Sequence, residues 1–262
     1  MTAREFFERA ADLERARMPF ALATVVKRYA PVSSHLGDRA IVLADGRMQG
    51  FVGGSCSRHI VRDEALDAIR KGEARLVHVE GECASEGAVD VYLEPHLPPR
   101  MLLIVGNTPV AAELARLAAL LEGYHVVRVV EPAELHELGE GEEEHAVALD
   151  ALDDFLGGMN ADDRGRLVAV VASQGHYDEA ALVAILKRGE PAYAGLLASR
   201  RRATEVFADV HAKGIARKRL ANVHNPAGID IGARRPGEVA ISILAEIVAT
   251  IAAHDRETKA AT

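Results

Sequence analysis

MLLIVGNTPVAAELARLAALLEGYHVVRVV, residues 101 to 130, decides how this chain is built. An unbroken apolar run, Met101 to Val105, meets a glycine turn at Gly106. A helical pattern from Pro109 to Leu121 follows, and a second apolar strand occupies Tyr124 to Val130. Continuous apolar strands alternating with helices predict a parallel sheet covered on both faces, a β-α-β unit and not a hairpin. Later strands at Leu167–Ala172 and Ala192–Leu197 extend the pattern, with helices near Asp178–Arg188, Arg200–Lys213 and Pro236–Ala253. Only 139 to 165 lacks a clear period. The reading is a Rossmann-like, doubly wound α/β domain over 98–262.

Upstream, Pro95, Pro98 and Pro99 punctuate the chain and place a domain boundary there. Residues 1–97 read as a small α+β domain. Arg4 to Arg17 is an amphipathic helix, and Phe20 to Val26 and Arg39 to Leu43 are strands. The turn Ala44-Asp45-Gly46-Arg47 predicts a hairpin pairing 40–44 with 48–52, because an Asp-Gly pair supplies the positive φ angles of a tight turn. Strands near 75–79 and 88–94 complete this domain.

The chain has 262 residues, 49% of them hydrophobic, enough for two compact cores. A net charge of −8 and 4% aromatics without tryptophan argue against nucleic-acid binding, which needs cations for phosphates and rings for stacking. Mean hydropathy near zero, with no long apolar run and no signal-like N-terminus, predicts a cytoplasmic protein without a membrane span. Seven glutamates between Glu131 and Glu144 read as a solvated face.

Three loops at strand ends are candidates for ligand contact. Gly106, Asn107 and Thr108 open a partial dinucleotide fingerprint: Gly106 and Ala111 stand where tight turning and close packing need small residues. Thr108 replaces the glycine that normally admits a pyrophosphate. Glu131, ending the next strand, is placed for a ribose hydroxyl, so NAD(P) is one cofactor to test. Ser199, Arg200 and Arg201 follow a strand and open a helix, where amides, hydroxyl and guanidinium converge on an anion. Ser173, Gln174, Gly175 and His176 form a third loop, and the glycine-punctuated segment from His224 through Asp230 to Gly232 lies before the last helix.

The two cysteines both fall in loops. Gly53, Gly54, Ser55 and Cys56 precede a helix read over 57–71 with Ser57 as its N-cap, which puts Cys56 at the positive end of the helix dipole and favours its thiolate. Cys83 lies in Gly81-Glu-Cys-Ala-Ser-Glu-Gly87 between two strands. A small residue filling a tight turn, a structural disulfide and a reactive or metal-binding pair all fit these positions. His35, His59 and His78 are nearby, though each is individually more ordinary as a surface or packing residue.

In order and spacing, several stretches resemble one family, the XdhC/CoxI maturation factors of molybdenum hydroxylases such as xanthine dehydrogenase and carbon monoxide dehydrogenase. They are Ala21-Leu-Ala-Thr-Val-Val26, Ser33-Ser34 with Gly37-Asp-Arg-Ala40, Gly53-Gly-Ser-Cys56 and Cys83 to Pro95. The carboxyl half adds Asp178-Glu-Ala-Ala-Leu182, Ser199-Arg-Arg-Arg202, Asp230-Ile-Gly232 and Ile243-Leu-Ala-Glu246. The resemblance implies a cytoplasmic, homodimeric accessory protein, a cofactor chaperone more than a free-standing enzyme. It would bind molybdenum cofactor (molybdopterin) while a cysteine desulfurase supplies sulfur, then deliver it to an apo-molybdenum hydroxylase. By the same resemblance Cys56 and Cys83 become the metal or sulfur-transfer residues, with the Ser199 and Gly106 loops as donors to phosphate or pterin. Ser55-Cys56-Ser57-Arg58, where much of the family has cysteine followed by a Val-Glu pair, and Glu86 within an expected glycine pair look like a divergent branch. Two other functions stay open on the residues: an NAD(P)-dependent oxidoreductase, and a copper or sulfur metallochaperone without pterin.

Overall fold

A computed structural model describes residues 1–80, 87–138, 145–175 and 177–260. The chain separates into two compact units, Met1–Pro98 and Pro99–Thr262.

The first unit is a five-stranded sheet with helices. In chain order it contains α1 (Ala3–Arg15), β1 (Phe20–Tyr29), β2 (Arg39–Leu43), β3 (Met48–Gly50), α2 (Ser55–Lys71), β4 (Arg75–Glu80) and β5 (Ala88–His96), in the sheet order β3-β2-β1-β5-β4. All pairings are antiparallel. The Asp-Gly hairpin forms with Val42 opposite Met48 and Ala40 opposite Gly50. Alternation along β1 and β5 sends Ala21, Ala23, Val25, Val89, Val91 and Leu93 into one core with Val61, Ala65 and Ala68 of α2. A smaller cluster joins Phe6 and Leu13 of α1 to Phe20, Ile41 and Leu43. Gly72 caps α2 in the left-handed region (φ 64°), where a glycine costs least. A Cβ there would sit 3.1 Å from Leu97, just beyond β5, so α2 ends where β5 ends. The chain therefore leaves β4 at Glu80 and re-enters at Gly87 at the end of the unit where α2 begins.

The second unit holds β6 (Arg100–Val105), α3 (Pro109–Ala118), β7 (Tyr124–Val130), β8 (Ala146–Ala148), α4 (Leu152–Gly157), α5 (Ala161–Gly165) and β9 (Val168–Val171). It continues through α6 (Asp178–Lys187), β10 (Tyr193–Leu196), α7 (Arg200–Ala212), α8 (Arg217–Ala221), β11 (Val223–His224) and α9 (Pro236–Ala260). Its sheet runs β11-β10-β9-β6-β7-β8 and every pairing is parallel. Read from β8, that is the strand order of a dinucleotide-binding fold, with its switch point between β6 and β9. Strand side chains alternate between faces: Leu103 and Val105 join Leu182, Ile185 and Val206 of α6 and α7. Leu102 and Ile104 join Leu114 of α3 and Ile243 and Ile247 of α9. The poorly patterned stretch contains the edge strand β8 and two short helices.

The expectation of no long apolar run needs correction at one place. Pro236–Ala253 of α9 is, by length and composition, long and apolar enough to cross a membrane. In this fold Ala240, Ile243, Ile247 and Ile251 lie buried against the sheet, while Ile241 and Val248 are exposed. Its apolarity thus partly serves the core, where burying each Ile contributes about 1.5–3 kcal/mol.

Candidate functional site

At the switch point, β6 ends in Gly106 with φ +125°. A Cβ there would stand 2.6 Å from the Ala172 carbonyl oxygen, so only glycine allows β6 and the end of β9 to approach this closely. Thr108 is buried, donates its hydroxyl to that same carbonyl at 2.9 Å and accepts the Ala111 N–H at 3.2 Å. It is the N-cap of α3, and Pro109, in the first turn, has no N–H. Of the amides at 109, 110 and 111, only that of Val110 is left to meet an anion. Cap and proline thus take up two of the three donor positions at the start of α3, where a pyrophosphate normally sits.

Around this turn, Asn107 donates to Glu137 at 2.9 Å, and buried Arg128 of β7 donates to the Gly106 carbonyl at 2.9 Å. Glu131 is exposed at the end of β7, and its N–H bonds Glu134 Oε2 at 3.0 Å. That same Glu134 oxygen accepts the Tyr177 hydroxyl at 3.1 Å. Burial foremost, and then Glu134, pushes the Tyr177 phenol far above its ordinary range, so it remains a donor.

Beyond β9 the chain passes through Gln174 (φ 56°) and Gly175 (φ 94°), both left-handed. This reversal returns the chain so that Ser173 donates its hydroxyl to Asp178 in the first turn of α6. Asp178 is 1% exposed, and its Oδ2 has no hydrogen-bond partner among the described residues. Arg202 of α7 reaches the Gly175 carbonyl at 3.3 Å. Ser199 is spent as the α7 N-cap, accepting the Arg202 N–H at 3.2 Å, while Arg201 faces Glu205 at 3.6 Å on the surface and Arg200 is exposed. Loop and helix start touch through Arg202. His176 lies outside the described residues.

His224 corrects the sequence reading. It is not a loop residue but the end of β11, with Nδ1 3.1 Å from Glu246 Oε1 and its ring 4.7 Å from that of Tyr193. It lines a cavity of about 480 Å³ with Pro191, Ala192 and Arg219, beside the start of β10 and away from the switch point. Asp230 closes a local turn by accepting the Gly232 N–H at 3.1 Å. The sequence reading missed Asp178, Tyr193 and Glu246. The advance signals were a carboxylate opening one helix, another inside an apolar one, and the place of both in the family-like stretches Asp178–Leu182 and Ile243–Glu246.

In the first unit the N-cap of α2 is Gly54, not Ser57, so Cys56 stands inside the first helical turn. The helix starts early because Gly53 (φ 155°) turns tightly enough that a Cβ would meet Ser57 Cβ at 3.1 Å, and Ser57 is buried in the helix. Gly54 offers no side-chain cap and no acid occupies the first turn, so the dipole there is uncompensated. Cys83 lies outside the described residues. Among the described residues no group of three or more His, Cys, Asp or Glu is arranged to hold a metal.

Together these features define a two-unit α/β protein: a Rossmann-type sheet whose first turn is capped by Thr108, and an antiparallel unit whose helix α2 carries a cysteine in its first turn. Family comparison agrees with both halves: the XdhC Rossmann domain matches residues 102–247, and the XdhC and CoxI family matches residues 13–80. The chain belongs to the XdhC/CoxI family. "Uncharacterized protein YqeB" of Escherichia coli K12 is 32% identical over 255 residues, which are 92% of this chain and 45% of that protein, so the chain spans about half the length of this relative. A solved structure described as a xanthine dehydrogenase from Bacillus halodurans is 18% identical, with coverage of 97% and 96% and a TM-score of 0.48.

Proposed function

We propose that this protein is a maturation factor for a molybdenum hydroxylase: it holds molybdenum cofactor during sulfuration and passes it to the apo-enzyme. The observation that carries the reading is family membership across both units, and the place of Cys56 in an uncompensated helix turn adds to it. A thiolate is stabilised at such a position, and it is the form that ligates metal or takes part in sulfur transfer. When bound, the cofactor supplies the metal centre that accepts the terminal sulfur. Cys56, with Cys83 beyond the described residues, is assigned to contact it. A cysteine desulfurase and an apo-hydroxylase are the proposed partners, the cytoplasm the proposed compartment, and a homodimer the proposed working form.

The dinucleotide alternative has less support. Two of the three amides at 109–111 are unavailable, one for want of a hydrogen and one through the Thr108 cap. The experiment is to purify wild type, Cys56→Ala and Cys83→Ala from cells that make the cofactor. Molybdenum, copper and pterin are measured, then activation of the apo-hydroxylase. Wild type is expected to carry molybdenum and pterin in equal amounts, and the variants to lose cofactor or client activation. Full retention of both in both variants refutes the thiol role, and copper without pterin replaces the reading with a metallochaperone.

A further inference from the structure

A depression in the first unit lies outside everything assigned above. It is an open depression of about 580 Å³ between the β2–β3 turn and the first turns of α2, within the size range of small-molecule sites. Arg47 and Gln49 line it from the hairpin, and Arg58, His59 and Arg62 from the helix. We propose that it is a binding site for a phosphorylated small molecule.

Charge carries the first part of the argument. The chain has a net charge of −8, yet this concavity gathers three guanidinium groups and a histidine, and among the described residues no carboxylate lines it. Two carboxylates stand beside it without closing it: Asp45 accepts Arg47 Nε at 2.7 Å, and Asp63 Oδ1 meets both Nε and Nη2 of Arg62, at 2.9 and 2.8 Å, which leaves Nη1 of that fork to turn inward. They steer the guanidinium groups and leave the site one positive charge in excess before histidine is counted. An arginine has five N–H donors, and the bonds just described occupy only part of each fork.

Geometry supplies the rest. Arg58 and Arg62 are four residues apart on α2, hence neighbours about 5–6 Å apart at Cβ. Arg58 donates to the Met48 carbonyl at 3.0 Å, which fastens the helix side to the hairpin and holds Arg47 opposite. Gly46 at φ +81° makes the turn, and it sits against the Arg62 stem: a Cβ there would lie 3.6 Å from Arg62 Cδ, an ordinary contact distance. Planar forks converging from two elements match a tetrahedral oxyanion with several acceptor oxygens better than a single carboxylate. The proposal is independent of the thiol role, because none of its residues is a cysteine and its test reads no metal.

The test is calorimetric titration of the full chain with inorganic pyrophosphate, inorganic phosphate and polyglutamate at low salt. Wild type is expected to bind pyrophosphate saturably, with Kd below ~1 mM. Arg58→Gln and Arg62→Gln should each weaken it about tenfold or more, while exposed Arg15→Gln on α1 leaves it unchanged. Arg62→Gln leaves the bond to Met48 intact, so it reports on the site even if Arg58→Gln loosens the hairpin. Absence of saturable pyrophosphate binding, undiminished binding by Arg62→Gln, or tighter arginine-dependent binding of polyglutamate overturns the proposal, the last in favour of an acidic protein segment.

Discussion

Replacing Glu246 by alanine removes one carboxylate from the middle of an apolar helix and strands several groups at once. The Tyr193 hydroxyl donates to Oε2 at 2.6 Å, the Gly228 N–H to the same oxygen at 2.8 Å, and His224 Nδ1 lies 3.1 Å from Oε1. Tyr193 is 2% exposed, so water does not replace the lost acceptor without rearrangement. Burial, then the bond to Glu246, drives the Tyr193 phenol far above its usual range. For Glu246 burial alone would raise the pKa, but bonds from Tyr193, Gly228 and His224 outweigh it and the net shift is downward. A buried donor left without an acceptor costs about 1–3 kcal/mol, so two donors cost about 2–6. Relief of carboxylate desolvation offsets part, leaving a loss of about 3 kcal/mol. At ~2–4 °C per kcal/mol for a domain of this length, Tm falls by roughly 6–12 °C. Glu246→Gln keeps one acceptor oxygen and should lose about half as much. Thermal and urea unfolding of both variants, with a double-mutant cycle against Tyr193→Phe, measure it. The lowered folded pKa means that the stabilisation is present above the unfolded value and is lost as pH falls through the folded one. A loss under ~0.5 kcal/mol for Glu246→Ala, or strict additivity with Tyr193→Phe, refutes the network.

Two further perturbations follow from local geometry. Gly106→Ala combines φ +125° with a Cβ at 2.6 Å from a backbone oxygen and should destabilise the second unit by more than ~2 kcal/mol. Gly123→Ala, at φ +85° with nothing within 4 Å, should lose only the conformational part, so equal urea midpoints for the two contradict the close approach at the switch point. In the first unit, the hydrogen bond that His78 Nδ1 donates to the Asp90 carboxylate raises the His78 pKa above 6.5, and the same bond lowers that of Asp90. The stabilisation from His78 is full below its unfolded pKa and lost as pH rises through the folded one. That from Asp90 is present above its unfolded pKa and lost on acidification. An NMR titration should find His78 shifted up in wild type and lower in Asp90→Asn, where only the smaller upward pull of Glu80 remains, and an unchanged value in the variant excludes the pairing.

Strand and helix positions were legible because they are local. The apolar run at Met101–Val105 needed cover on both faces, and Leu103 and Leu102 indeed point into different cores. The Asp-Gly turn paired its flanks as a hairpin, with each partner two residues from the expected one: Ala40 lies opposite Gly50 and not residue 52. Helix starts were less legible: Ser57 looked like a cap by residue type, but the tight backbone at Gly53 brings Gly54 to that role. His224 read as a loop ligand because its strand has only two residues and exists through pairing with β10. Which residues would meet was not a local property. Tyr193 and Glu246 are 53 positions apart, and Thr108 finds the Ala172 carbonyl 64 positions away.

The sequence by itself determined the class of fold, the order of its elements and the family, since periodicity, turn chemistry and ordered motifs are written along the chain. Only the tertiary structure decided that Thr108 caps α3 against the Ala172 carbonyl, that Asp178 is a buried and Glu246 a half-buried carboxylate with separate neighbours, and that three arginines from a hairpin and a helix face one concavity. The physical reason is that hydrophobic patterning specifies which face of an element is covered. The polar contacts of a site depend on the register and distance between elements that sequence proximity does not encode.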